Sequence, residues 1–511
     1  MNLIEELYAL QKEHGFLRDP DLRALSKRVR VPLYEIEGVA SFYPHFRRTP
    51  APRHVVTGCR DLSCWMNEGK LTLAKLRNLC SGKEDVEFHE VSCLGRCDAA
   101  PACTIDDVPI AAGDVARYLE EPESLPKNEP TRTPRRWPID PYQDQAHRYG
   151  VLLEYLKTRD IDGLIEKLKG SGLSGMGGAG FPTGVKWDFV RKAKGGKKYV
   201  ICNADESEPG TFKDRVIKEE VGHLVLEGMM LGALAVGADE GIVYIRHEYV
   251  KEAEAIRRGI QRAYAENLLG DNVLGSGWRF DLRVFISPGG YILGEETALL
   301  EALEGKRGEP RNKPPYPGTH GLHGCPTLIN NVETLAMVPY VLRTGTQDYK
   351  FFSISGDVEV PGVHCAPAGT TLNQLIEKCG GMKDGVALKA FLPGGASTRF
   401  LGAEHADIVM DWQSLKDAGS SLGSGAVVVI GEGRNMHHVA RNLTEFFRNE
   451  SCGKCVPCRI GTEKAVTMID RKEMERMPDL HETLLETSIC GLGQAALNPI
   501  LSALELFPHG K

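Results

Sequence analysis

Over the first 48 residues apolar side chains recur at helical spacing, with Leu3, Leu7 and Leu10 followed by Leu22, Leu25 and Val29. Intervals of three and four place such side chains on one helix face, so this stretch predicts a cap of short helices. From Arg53 the period changes. HVVTG and VEFHEVSC read as strands, a helix is predicted between them from Leu71, and a turn-rich LGRCDAAPAC follows. The pattern predicts one unit over residues 1–120, a helical cap plus a small β/α domain.

EPESLPKNEPTRTPRRWP has proline at five positions and almost nothing to bury, which predicts an extended linker over residues 121–138. Strand-like KKYVICNAD, GIVYIRHEY and LRVFISPGG then alternate with helical segments and glycine-rich loops, predicting a large α/β domain over 139–345. FFSIS and ALKAFLPGG bracket a helix near Leu372 to Cys379, and GAVVVIGEG closes a compact α+β insert over 346–430. Helical sequence occupies 431–511.

A chain of 511 residues exceeds the roughly 250–300 that one core supports, in keeping with this division. A net charge of −7 offers no broad basic field, so nucleic acid is not an expected partner. The most apolar region, His223 to Ile245, is interrupted by Glu227, Asp239 and Glu240, and direct membrane insertion is not expected. The N-terminal MNLIEELYALQKEHG lacks the basic start and apolar stretch of a secretory signal, which predicts a cytoplasmic protein. In that compartment fourteen cysteines are metal ligands or buried thiols before they are disulfides.

Their spacing separates the two. SCGKCVPCR supplies Cys452, Cys455 and Cys458, and TSICGLG supplies Cys490. Three thiolates on a tight loop can take three corners of a 4Fe-4S cubane and a remote fourth can complete it. Zinc also accepts four cysteines, but the CxxCxxC triplet favours iron-sulfur binding. In the N-terminal unit CRDLSC and VSCLGRC supply Cys59, Cys64, Cys93 and Cys97 as two pairs, two per iron of a 2Fe-2S cluster; the alternative is structural cysteines.

SGLSGMGGAGFPTGVKW carries a glycine density suited to close approach by phosphate, at Gly175, Gly177 and Gly178, but the preceding IDGLIEKLKG looks helical, which excludes a conventional Rossmann fingerprint. CNADESEPGTFKDR gathers Asn203, Asp205, Glu206 and Glu208, where carboxylates can accept from ribose hydroxyls and ring NH groups while Lys186 and backbone NH groups hold phosphate; the plain alternative is a solvated acidic loop. Further on, GGYILGEETALLEALEG, RNKPPYP and PTLINNVET supply Tyr291, Glu295, Glu296, Lys313, Tyr316, Asn330 and Asn331. Taken singly, Phe181, Phe189 and Tyr316 would be core aromatics.

Taken in order, SGMGGAGFPTGVKW, CNADESEPGTFKDR, GEETALLEALEG, INNVET, SCGKCVPCR and ICGLG resemble the flavin subunit of the NADH dehydrogenases of respiratory complex I, over residues 150–511. The first 120 residues resemble its small thioredoxin-like 2Fe-2S companion, fused upstream as in diaphorase subunits of formate dehydrogenases and NAD-reducing hydrogenases. The resemblance implies a multidomain α/β protein: a thioredoxin-like 2Fe-2S domain, a Rossmann-like FMN/NAD domain, a ubiquitin-like insert of the SLBB type and a C-terminal helical 4Fe-4S domain. It implies FMN at the glycine loop, with the nicotinamide of NAD(H) over the flavin and the adenine among Phe181, Phe189 and Tyr316. Two features depart from the family. Ser174 and Met176 replace two arginines of its RGRGG, which predicts altered phosphate electrostatics, and the interval between Cys64 and Cys93 is short.

The expected chemistry is hydride transfer between NAD(H) and FMN followed by single-electron transfer through the clusters, with Glu208 and Glu296 positioning nucleotide and tuning flavin. NAD rather than NADP follows from the resemblance. No molybdopterin, nickel or quinone site is evident, so partner subunits must handle the second substrate. An iron-sulfur and molybdopterin subunit of a molybdenum or tungsten formate dehydrogenase is the first expectation, ahead of a nickel-iron hydrogenase or a quinone reductase. A non-catalytic electron-transfer scaffold is the remaining alternative, opposed by the retained Lys186, Glu208, Glu296 and Lys313.

Overall fold

The computed structural model describes residues 2–127 and 135–510, and three sheets organise them. In the first, β1 (His54–Cys59) pairs parallel with β2 (Val86–Val91) and antiparallel with β3 (Ala102–Ile105), which pairs with β4 (Val108–Ala111). The β3–β4 hairpin begins within the last two residues of the predicted turn region; Asp106 and Asp107 form its two-residue turn, both at positive φ as tight hairpins require. Two helices lie between β1 and β2, a short one at Leu62–Met66 and a longer one at Gly69–Cys80 that starts two residues before the predicted position.

The second sheet is all parallel, in the order β7 (Asp281–Ser287), β6 (Glu240–Arg246), β5 (Tyr199–Ala204), β8 (Thr327–Asn331). Burial on both faces explains why β5 and β6 are almost continuously apolar. One face is covered by helices Gly222–Val236 and Val332–Thr344, which meet where Gly228 has no side chain: a Cβ there would lie 2.1 Å from the Leu335 carbonyl oxygen. Glu227, next to that contact, is fully buried, accepting from the Tyr142 hydroxyl at 2.7 and 2.8 Å and from Leu152 N at 3.0 Å.

The third sheet is mixed, in the order β10 (Gly362–Pro367), β9 (Tyr349–Gly356), β13 (Ala426–Gly431), β11 (Leu388–Leu392), β12 (Leu401–Gly402), with helix Leu372–Lys378 packed against it. β10 falls in GVHCAP, which the sequence pattern does not single out. Helices Met436–Asn449, Val456–Arg471, Met477–Thr487 and Asn498–Leu506 form the C-terminal bundle.

Two packing details go beyond the sequence pattern. The N-terminal helices Leu3–His14, Asp19–Val29 and Leu33–Phe42 do not share a core with the β1–β4 sheet; Ile4, Leu7, Leu22 and Ile36 pack in one cluster with Tyr244, Phe285, Leu299 and residues of the C-terminal bundle. Part of the predicted 121–138 linker lies outside the described residues, at 128–134, but its far end is packed: Trp137 is buried against Phe351 with ring centroids 5.0 Å apart, and its indole NH donates to Glu220 at 2.8 Å. A tryptophan can bury a large apolar surface even in a proline-rich segment.

Gly228→Ala is expected to force the two central helices apart, an overpacking cost of about 1–3 kcal/mol. Thermal unfolding followed by circular dichroism will show a lowered Tm; an unchanged Tm would mean that this close approach is dispensable.

Candidate functional site

The glycine loop follows helix Ile161–Gly170 and leads into helix Thr183–Lys192, so its setting is helix–loop–helix, as expected. It folds back on itself through Gly175 N to Phe181 O at 2.9 Å and Gly180 N to Gly175 O at 3.2 Å. Met176 N donates to Thr334 Oγ1 at 2.9 Å, fastening the loop to the first turn of helix Val332–Thr344. Gly178 stands at φ 117°, and a side chain at Gly177 would press on Asn331 at 3.2 Å. Backbone NH groups without flanking side chains, set against a helix N-terminus, suit an anionic phosphate. Behind the loop Lys213 pairs with Asp214 at 2.7 Å and Glu333 at 3.0 Å, and Lys350 approaches Glu333 at 3.4 Å and Met176 Sδ at 3.5 Å. Buried lysines therefore stand behind the loop in which the family's arginines are missing, and the spacing of motifs along the chain carries no sign of them.

β5 delivers the acidic segment. Asn203 Nδ2 donates to Gly294 O at 2.8 Å, joining this segment to the loop that carries Glu295 and Glu296. Asp205 is buried and its Oδ1 has no partner; burial, only partly offset by Arg246, pushes its pKa up to about 7. An unpartnered buried carboxyl oxygen fits a site completed by a ligand donor. Glu208 accepts from Ser397 N at 2.8 Å and Ser397 Oγ at 2.6 Å, and burial raises its pKa although those bonds work against the rise. Glu206 is placed differently from the expectation: its two oxygens accept from Asp214 N at 2.8 Å and Arg215 N at 3.0 Å, and Tyr249 donates to it at 3.1 Å. Its carboxylate thus closes the start of helix Lys213–Glu220.

The rim residues meet as pairs. Lys186 lies 3.3 Å from Glu296 and Lys313 lies 2.7 Å from Glu295. Phe181, Phe189 and Tyr316 are 53%, 51% and 56% exposed, which rules out the core role that single aromatics suggest. Asn331 caps helix Val332–Thr344 and donates to Asp214 at 2.6 Å, while Asn330 Oδ1 accepts from the Trp187 indole at 2.9 Å. Tyr291 turns to the C-terminal bundle, its ring 5.0 Å from that of Phe446. The third domain also reaches this region, through Ser397 and through Trp412, which a side chain at Gly180 would meet at 3.1 Å. Sequence reasoning missed both, because their partners are distant in the chain.

The N-terminal cysteines converge, all four buried: Cys93 and Cys97 have sulfurs 3.5 Å apart, and Cys59 is in contact with Cys64 and Cys93. Gly95 N points at Cys93 Sγ at 3.4 Å and Ala102 N at Cys64 Sγ at 3.3 Å, donors that suit thiolate sulfur. In the C-terminal set Cys455 and Cys490 each precede a helix and Cys458 sits inside the first. Burial pushes the thiols of Cys458 and Cys490 up to about 12 and about 11, so these groups stay protonated unless a metal displaces the proton. The thiol chemistry of both sets suits iron-sulfur clusters, and the glycine loop with Asp205 fits a phosphorylated flavin.

Comparison with known proteins agrees with this geometry. Family models match in order: thioredoxin-like 2Fe-2S ferredoxin at 1–119, the Nuo51 FMN-binding domain at 168–340, the SLBB domain at 351–401 and the NADH-ubiquinone oxidoreductase-F iron-sulfur binding region at 438–510. Together they define an NADH-oxidising FMN flavoprotein with 2Fe-2S and 4Fe-4S domains. The second NADH-quinone oxidoreductase F subunit of Rhizobium meliloti is 42% identical over 379 residues, 70% of this chain and 90% of that protein. The NADH-quinone oxidoreductase F subunit of Escherichia coli is 42% identical over 368 residues, 68% of this chain and 83% of its own. The chain belongs to the family of NADH-quinone oxidoreductase F subunits. A chain of an NAD+-reducing NiFe hydrogenase, solved in the H2-reduced state, superposes over 100% of this chain and 92% of its own with TM-score 0.89 and 28% identity.

Cys455→Ala is expected to abolish a 4Fe-4S electron paramagnetic resonance signal and leave a 2Fe-2S signal; an unchanged spectrum would refute the ligand assignment. Asp205 gives a second test. Its folded-state pKa, about 7, lies above the ordinary value of 3.8, so its contribution to stability is full below about pH 4 and is lost as pH rises through about 7. In flavin-stripped protein, Asp205→Asn should flatten that part of the Tm–pH curve, and an unaltered slope would contradict the raised pKa.

Proposed function

We propose that the chain is the NAD(H)-linked diaphorase subunit of a cytoplasmic complex, exchanging hydride between NAD(H) and FMN and passing single electrons to or from partner subunits. Bound FMN supplies the conversion between a two-electron hydride and one-electron iron-sulfur carriers. Gly175, Gly177 and Gly178 hold its phosphate through backbone NH groups, and Asn203, Asp205, Asn330 and Asn331 line the ring side. Glu208, fixed by Ser397, and Glu296, facing Lys186, orient the nicotinamide nucleotide. Phe181, Phe189 and Tyr316 receive the adenine. Cys452, Cys455, Cys458 and Cys490 would hold a 4Fe-4S cluster and Cys59, Cys64, Cys93 and Cys97 a 2Fe-2S cluster, which would supply the one-electron carriers.

The observation that carries this reading is the open aromatic ledge. Three of the five exposed aromatic side chains among the described residues are Phe181, Phe189 and Tyr316; Phe181 precedes the helix that presents Lys186 to Glu296, and Phe189 lies on that helix. Uncovered ring faces beside paired charges suit a base with its ribose and phosphates.

The parent complex we favour is a molybdenum or tungsten formate dehydrogenase, since the fused upstream domain is the architecture expected of such diaphorases. A nickel-iron hydrogenase is the second reading, supported by the end-to-end likeness to an NAD+-reducing NiFe hydrogenase chain. The FMN-loaded chain should bleach its flavin with NADH and turn over with ferricyanide, and absence of both would overturn the diaphorase assignment. Purified with its partners, the complex should contain molybdenum or tungsten and reduce NAD+ with formate; nickel and H2-dependent reduction would instead establish the second reading.

A further inference from the structure

Away from the aromatic ledge, loop Cys93–Asp98 of the thioredoxin-like domain is pressed onto the FMN domain, and its residues Cys93 and Cys97 join that domain's core. The contact centres on Arg246 at the end of β6, which is 3% exposed. Its guanidinium donates to the Cys93 carbonyl at 2.8 Å and to the Glu206 carbonyl at 2.7 Å, and it pairs with Glu248 at 2.6 and 2.9 Å. It also lies 5.1 Å from the centre of the Tyr249 ring. Tyr249 fits where Gly95 has no side chain; a Cβ there would stand 2.0 Å from the tyrosine hydroxyl. Arg96 and Arg215 flank the same loop and, like Arg246, each pairs with an acid, Arg96 with Glu252 at 3.1 Å and Arg215 with Asp98 at 2.7 Å. Of these three arginines, Arg246 alone donates to the backbone of a cysteine in the quartet.

Reduction of a 2Fe-2S cluster adds one negative charge to a buried site, so a fixed positive charge on a ligand's own peptide favours the reduced form. A buried arginine cannot lose its proton to escape that role. We infer that Arg246, contributed by the FMN domain, raises the reduction potential of the 2Fe-2S site in the neighbouring domain. Glu248 opposes it through the shared ion pair. On the other side of Cys93 a second carboxylate stands close, Asp61 accepting from Cys93 N at 2.9 Å, so the guanidinium is the cationic contact of this peptide. The inference rests on Cys59, Cys64, Cys93 and Cys97 being the 2Fe-2S ligands.

Redox titration of the full chain with its clusters in place, followed by electron paramagnetic resonance, tests this. At the potential that half-reduces the wild-type 2Fe-2S site, Arg246→Gln should lower the ratio of reduced to oxidised cluster at least tenfold, a downward shift of about 59 mV for one electron. The 4Fe-4S midpoint and the iron content should not move, and Arg246→Lys should restore most of the ratio. Glu248→Gln should shift the 2Fe-2S midpoint upward, and it decides the matter if Arg246→Gln cannot hold the cluster. Unmoved midpoints, or shifts of the same sign in Arg246→Gln and Glu248→Gln, would overturn the inference. A wild-type chain lacking any 2Fe-2S signal would overturn the ligand assignment along with it, an outcome distinct from a signal that stays in place.

Discussion

A buried charge must find a partner, and the segment from Asn203 to Arg215 carries more of them than one domain can answer. Glu206 is bound by Tyr249, Glu208 by Ser397 of the third domain, and Asp214 by Lys213 and Asn331. Arg215 reaches Asp98 of the thioredoxin-like domain at 2.7 Å. Neutral groups follow the same pattern, Thr211 with Ser424 at 2.8 Å and Phe212 N with Ser353 Oγ at 3.0 Å. Removing either member of such a contact leaves a buried group unsatisfied, at about 1–3 kcal/mol and more for a charge. These contacts turn domains that would otherwise move independently into one frame that holds both cysteine sets and the glycine loop.

The same requirement accounts for the cysteines. Burial raises the Cys458 and Cys490 thiols, so these would be stable as thiolates only where a metal supplied opposing charge. Backbone NH groups from Gly95 and Ala102 and the two C-terminal helix starts add partial positive charge at the sulfurs. Lys454, inside the CxxCxxC loop, donates to the Pro310 carbonyl at 2.6 Å, which brings the FMN-domain rim against the C-terminal set.

Much of the fold was legible. The runs that became β5, β6 and β7 carry enough apolar and β-branched residues to read as strands, and the cysteine spacings suit two cluster types, because ligand geometry constrains neighbours within a few residues. Less was legible where packing decides. β10, GVHCAP, lacks a run of β-branched or aromatic residues, and its strand character comes from pairing with β9. Trp137 closes a proline-rich segment, and only its contact with Phe351 shows that the segment's end belongs to the core.

By itself, then, the sequence determined the domain order, the two cysteine quartets and the glycine and acidic motifs, since each rests on local spacing or residue chemistry. The tertiary structure decided which acids keep an unpartnered oxygen and which bind the frame: Asp205 keeps one, whereas Glu206, its immediate neighbour, is closed off by Asp214, Arg215 and Tyr249. It also decided that the N-terminal helices pack on the FMN domain and that Lys213 and Lys350 stand behind a loop short of arginines. Those outcomes depend on contacts between residues far apart in the chain, and no local pattern encodes them.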